Sequence, residues 1–554
     1  HSRRRVRRGV WSRMCSLGPG RWRYTWEGQS HSPNLKLFIF NSHIKPSDNC
    51  LHIRASLLLS KSLLTVTWTS VVESPVDAGK VSLDIPLPSV LIDPEAPVVS
   101  RALDDHVEVK LLLLLPVDHP LIQSEFSPDG VSNDCASRDK LPLTNYAFEL
   151  KNLNSERDGV YFYCKACSGK LTRSSIGRFV EMPSVNWQEL ADNWFGGCCG
   201  SFGGASEKLV RRFVDSYACV RGVGYLTSSA VTLCSDDVVG FQTGDVDRDD
   251  HRKEDAVDVG AEKCINTQIR CDNESPTTNM IDGKMRLLSL DQQKNRNKTE
   301  ELENLPTETA MNSECCDCHL GHDFDDSDQY MSLSNLKEDK RSLRDGYLGD
   351  GFISRSQNLS ADIEWKPFTC PDCSAFLGVS PCTSDGILID KGVRLYKCTV
   401  VTSSEIGGPN DHHFREYSLE RMFSSELIDK EKDELSFRTL LRDLKTKSPI
   451  LRLVVLNSSS WSCTGVCSDA AASEKAVLTS KLQPIVKVLF SGCGDSGETR
   501  TRDVSDWETK HRPDELFMMK HMIEQLLKSL EASEEFLPAS CKAIQGFSVS
   551  SLPR

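Results

Sequence analysis

No stretch of this sequence is apolar for long enough to cross a bilayer as a helix. The longest clean apolar run, Leu111–Val117, is broken by Pro116. It falls far short of the roughly 20 residues that a spanning helix needs. Leu51–Val72 is greasy, but Arg54 and Lys61 interrupt it. No secretory leader is visible either: Arg3, Arg4, Arg5, Arg7 and Arg8 lead into no apolar segment, and none is expected. The expectation is a cytoplasmic chain, with the nucleus as a second location and no membrane partner. Excess positive charge is also lacking. Against 79 Asp+Glu stand 66 Lys+Arg, a net charge of −13. A dedicated nucleic-acid binder gains its affinity largely from basic groups on phosphates, so no nucleic-acid partner is expected. There is no Walker A loop, no GxGxxG after a strand, no HExxH and no GxSxG. A RING-type ladder of closely spaced Cys and His is absent as well.

The 554 residues suggest about three domains. The expected class is mainly β with some α (α+β). Residues 1–20 read as a disordered basic start. Residues 21–155 read as a β-sandwich-like domain, with strands at Leu35–Phe40, Leu51–Leu59, Leu63–Val72, Lys80–Pro86 and His106–Leu115 between turn formers. In Val81–Ile85, Val81, Leu83 and Ile85 alternate with Ser82 and Asp84, so one face is apolar. Residues 156–236 form a central region rich in Cys and Trp. There Trp187, Leu190 and Trp194 fall on one face of a short helix. Residues 237–362 are acidic, polar and nearly free of aromatics, which predicts a disordered insertion. Residues 363–545 read as α+β. Strands are predicted at Leu395–Val401, Ile450–Leu456 and Ile485–Phe490, and a helix at Glu434–Leu444. A second helix is predicted from Pro513, with Leu516, Met519, Ile523, Leu526, Leu527 and Leu530 as its core stripe.

Cysteine is the residue present in unusual number. Twenty-two cysteines without a leader point to thiols and metal rather than disulfides. Single ones such as Cys50, Cys219 and Cys234 read as small buried apolar residues. Two CxxC pairs stand out: Cys164-Lys165-Ala166-Cys167 and Cys370-Pro371-Asp372-Cys373. Two residues between cysteines let a tight turn aim both thiolates at one point. Two such turns face to face make the tetrahedral site that Zn²⁺ accepts, at sulfur distances near 2.3 Å. A glycine soon after each pair suits the chain reversal of a zinc knuckle. One shared structural zinc is the leading reading. Separate zinc sites, or two unrelated turns with free thiols or a redox pair, remain as alternatives. A thioredoxin-like motif lacks the βαβ pattern it requires.

Other clusters carry weaker signals. Cys198 and Cys199 lie between Gly196-Gly197 and Gly200. They can complete a metal site, supply a nucleophile beside backbone amides, or pack as a tight loop. Cys315, Cys316, Cys318, His319 and His322 sit inside the polar insertion, and His412-His413 reads as a solvated loop pair.

Taken in order, the short motifs have a counterpart. They are strand-CxxC at 164–167, Met182-Pro183-Ser184-Val185-Asn186-Trp187, Trp194 with Cys198-Cys199, and Cys370–Gly378 with its Leu377-Gly378. This order resembles the HECT-like ubiquitin-conjugating-enzyme-binding family, in a plant-type form, over residues 21–235 and 365–545. The resemblance implies ubiquitin transfer. Its partners would be a ubiquitin-conjugating enzyme, ubiquitin and cyclin-type substrates. In HECT chemistry a cysteine thiolate takes ubiquitin as a thioester and yields it to an amine. Cys198 and Cys199 are the clustered, glycine-framed candidates outside the CxxC pairs, although no cysteine of this sequence matches a HECT catalytic cysteine with its surrounding lobe. The alternative is a zinc-stabilised interaction adaptor without catalysis.

Overall fold

The computed structural model describes residues 21–70, 80–125, 146–156, 158–182, 219–241, 349–356, 359, 363–403, 413–469, 480–494 and 498–554. Among these, 46% lie in strands and 20% in helices, so the chain is mainly β as expected. The Trp187–Trp194 helix, Cys198, Cys199 and the cysteines between 315 and 318 fall outside the described residues.

The N-terminal strands form because their alternation gives each one greasy face. Leu83 and Ile85 are buried as predicted, and their strand Lys80–Pro86 has the predicted ends. That strand pairs with Leu63–Ser70, which pairs in turn with Cys50–Leu58. Facing this small sheet are Arg23–Gln29, Asn34–Phe40 and His106–Leu112. Trp26, Leu37, Ile39, Leu64, Val66, Ile85 and Val107 fill the space between. The indole Nε1 of fully buried Trp26 donates to the Pro86 carbonyl at 3.1 Å, which satisfies its one polar atom.

Arg23–Gln29, Asn34–Phe40 and His106–Leu112 belong to an eleven-stranded sheet that reaches into the C-terminal part of the chain. Its spine is Pro449–Val466, 18 residues long. The first half of the spine pairs with Arg438–Asp443 and the second half with Arg23–Gln29. Gln483–Gly492 runs along its other edge, with register shifts between Val455 and Ser460. A strand this long bends to serve partners at both ends, and such bulges provide the bend.

Two helix expectations need correction. The helix predicted at Glu434–Leu444 instead occupies Leu419–Glu434. Ser418 caps it by accepting from the Arg421 amide, and it stops at Leu435, whose φ is 53°. Thr439, Leu440 and Leu441 then lie buried in a strand between Pro449–Val466 and Asp514–Met518. Tertiary pairing overrides the helix propensity of this Leu-rich segment. Likewise, Pro513 opens the strand Asp514–Met518, and the helix begins only at Lys520. Its stripe is core as predicted, with Ile523, Leu526 and Leu530 buried, but Leu516 belongs to the strand. No helix among the described residues is long and apolar enough to cross a membrane.

The helix Leu419–Glu434 carries one unfavourable charge. Burial, reinforced by Glu426 and Asp433, pushes the Asp429 carboxyl up from 3.8 to about 6. Between roughly pH 4 and 6 the folded chain therefore holds a proton that the unfolded chain has lost. Stability falls as pH rises through that window. Replacing Asp429 with Asn should stabilise the protein by on the order of 1 kcal/mol at pH 7, after allowance for solvent screening. The gain should vanish near pH 4, which urea unfolding at the two pH values will test.

Candidate metal centre

The first CxxC turn hangs from a short strand. Tyr161–Cys164 pairs with Val400–Ser403, with Cys164 opposite Val400. The second follows Glu364–Thr369, the edge strand of a six-stranded sheet. That sheet continues through Phe376–Cys382, Gly392–Tyr396, Ala230–Cys234, Val223–Leu226 and Arg178–Glu181. Both turns rest on one core that includes Phe162, Cys164, Phe368, Cys370 and Leu377.

The two turns have nearly the same hydrogen bonding. In the first, the Ser168 amide donates to the Cys164 carbonyl at 2.8 Å, and the Cys164 amide to the Gly169 carbonyl at 2.8 Å. In the second, the Ser374 amide donates to the Cys370 carbonyl at 2.9 Å, and the Cys370 amide to the Ala375 carbonyl at 2.8 Å. Amides also reach the sulfurs. Gly169 donates to Cys167 Sγ at 3.3 Å, and Ala375 to Cys373 Sγ. The left-handed residue that reverses the chain is Ser168 in one turn and Ser374 in the other, at φ 62° and 59°.

This corrects the role expected of the glycines. Gly169 follows the reversal, and its missing side chain leaves room for the Asp372 carboxylate of the opposite turn. Gly378 lies in a strand, where a Cβ would stand 1.8 Å from the Arg394 carbonyl oxygen. It is glycine so that two strands can approach closely.

The four sulfurs converge. Cys164, Cys167, Cys370 and Cys373 present Sγ atoms that all lie within 4.8 Å of one another. Cys164 Sγ is 3.8 Å from Cys373 Sγ, and Cys167 Sγ is 3.6 Å from Cys370 Sγ. Sulfurs at tetrahedral corners about 2.3 Å from one ion stand about 3.8 Å apart. The set therefore has the size and donor chemistry of a closed four-thiolate site, with no position left for a substrate. Burial raises the Cys164 thiol above its ordinary value. Burial also pushes the Cys167 thiol up to about 12, whereas the Ala375 amide lowers that of Cys373. The separate-site alternative is not what the geometry gives, because each turn supplies two of four mutually adjacent sulfurs.

Around the turns lies a buried polar network that the sequence reading missed. Lys397 is fully buried, and its Nζ donates to Glu149 Oε2 at 2.6 Å. The Tyr417 hydroxyl donates to the other Glu149 oxygen, and Lys165, inside the first turn, donates to the Tyr417 carbonyl at 3.0 Å. The one available sign was a lysine in the apolar segment Leu395–Val401. Elsewhere, Cys50 and Cys234 are buried as read, whereas Cys219 is only half-buried. His413 is half-buried with Nε2 3.7 Å from Glu156, rather than fully solvated; His412 lies outside the described residues.

With this geometry in view, a comparison with known families is decisive. The family described as HECT-like Ubiquitin-conjugating enzyme (E2)-binding matches residues 29–210 and 279–549. The chain belongs to this family. The match spans both cysteine turns and most of the strands of the large sheet. No curated protein and no solved structure matched the chain. Membership links the chain to interaction with a ubiquitin-conjugating enzyme.

Proposed function

We propose that this chain is a ubiquitin-protein ligase. It binds a ubiquitin-charged conjugating enzyme and promotes transfer of ubiquitin to lysines of substrate proteins, cyclin-type proteins among them, in the cytoplasm and nucleus. The observation that carries this reading is the family match, whose description names binding of the conjugating enzyme. Zn²⁺ is the proposed ion of the four-cysteine site, because four thiolates at tetrahedral spacing suit it and it brings no redox chemistry. Its role is structural. Cys198 and Cys199 are the proposed acceptors of a ubiquitin thioester. A thiolate fits that task because it is nucleophilic near neutral pH and is a good leaving group.

A discharge assay with a ubiquitin-loaded conjugating enzyme tests both parts. The chain should speed loss of the charged enzyme and form a reducible ubiquitin adduct, which Cys198→Ser or Cys199→Ser abolishes. Substrate modification without any such adduct would replace the thioester step with an adaptor role. No acceleration at all would overturn the ligase reading.

A further inference from the structure

The four cysteines carry a second chemistry. All four sulfurs lie within 4.8 Å of one another, and two contacts, at 3.8 and 3.6 Å, run between the turns, from Cys164 to Cys373 and from Cys167 to Cys370. Each of these pairs joins unlike partners. Cys164 and Cys370 are buried, at 0% and 2% exposure. Cys167 and Cys373 are exposed. Each pair thus has one sulfur open to a dissolved reagent and one shielded sulfur in contact behind it. Reversible thiol oxidation needs this arrangement: an accessible thiolate that is attacked and a neighbour that resolves the product before it oxidises further.

We infer that hydroperoxides convert the metal clasp into a disulfide clasp, with Cys167 and Cys373 as the attacked sulfurs and Cys370 and Cys164 as their resolving partners. This rests on the zinc reading above. The exposed thiolate attacks one peroxide oxygen, the O–O bond breaks, and a sulfenic acid and water result. The buried sulfur of the opposite turn then attacks the sulfenic sulfur, and a second water leaves. For each pair, two thiols and one hydrogen peroxide give one disulfide and two waters. The sulfurs are oxidised and the peroxide reduced. Zinc leaves because each disulfide removes two of its four thiolate donors. Both bonds cross between segments 203 and 209 positions apart in the chain. Loss of the ion therefore leaves the two segments covalently joined. A redox CxxC behaves differently, closing its bond within one turn.

The test uses the full chain with its metal content measured beforehand. Hydrogen peroxide is titrated in while a chromogenic chelator reads released zinc, and unreduced peptide maps locate the bonds. The expected result is release of the bound zinc by about two equivalents of peroxide, the stoichiometry of two disulfides. Cross-links Cys167–Cys370 and Cys164–Cys373 should appear and be reversed by a dithiol reductant. A Cys167→Ser chain should keep the Cys164–Cys373 link. Bonds within each CxxC, or zinc release with only sulfinic and sulfonic acids, would overturn the inference. A chain purified without zinc that still forms the cross-turn links would uphold the pairing and overturn the metal reading. A zinc-loaded chain with bonds inside each turn would do the reverse.

Discussion

Replacing Cys370 with serine should release the bound ion and destabilise the protein by more than about 4 kcal/mol, the range in which loss of a structural metal ligand falls. Cys164→Ser should do the same, because both sulfurs serve one site. The double variant should be scarcely worse than either single one, since the first substitution already dismantles the centre. Strictly additive losses would mean that the turns act separately. The size of the effect follows from the fold. Cys164 and Cys370 lie at the base of their turns inside the shared core, so a ligand lost there also leaves a polar hydroxyl among apolar neighbours. An ion held there would also clip together segments about 200 residues apart in the chain, and clips that close long loops stabilise most. Urea unfolding paired with metal analysis makes the measurement. Extraction of zinc with a strong chelator should reproduce the variant's curve.

The cysteine centre was legible because its rule is local and chemical. A CxxC aims two sulfurs whatever surrounds it, so spacing alone nominated Cys164, Cys167, Cys370 and Cys373. The reversal residues were not legible in the same way. Ser168 and Ser374 adopt a conformation for which glycine is the default, and only the hydrogen bonds of the turn disclose it. Strands with strict alternation, such as Lys80–Pro86, were readable for the same local reason. The segment around Leu440 was not. Its Leu-Leu pair suits a helix or a buried strand, and partners on both sides, at Pro449–Val466 and Asp514–Met518, decide the outcome. The pairing of Arg23–Gln29 with Ser460–Val466 joins residues more than 400 positions apart, beyond any local pattern. Cys198 and Cys199 stand where the sequence alone left them, as candidates framed by glycine.

The buried network beside the turns gives the other large effect. Lys397 has no exposed surface and Glu149 little. Burial lowers the Lys397 pKa below the ordinary lysine range, and the Glu149 carboxylate acts against that loss of charge. Replacing Glu149 with Gln keeps an oxygen for the Tyr417 hydroxyl but removes the compensating charge. Breaking such a pair from one side costs about 3–5 kcal/mol, because the buried ammonium loses the carboxylate 2.6 Å away. The variant's pH dependence identifies that cause. In the folded variant Lys397 gives up its proton below the unfolded value, so over the intervening range the unfolded chain binds the extra proton. Stability of Glu149→Gln should therefore rise with pH below the unfolded lysine value, more steeply than that of the parent. Adding Lys397→Met removes the stranded charge while retaining a flexible apolar side chain. The double variant should recover most of the loss and its excess pH slope together. If it is instead less stable than Glu149→Gln by the full cost of a buried lysine, with the slope unchanged, the network holds the fold through packing of its chains and the charge pair contributes little.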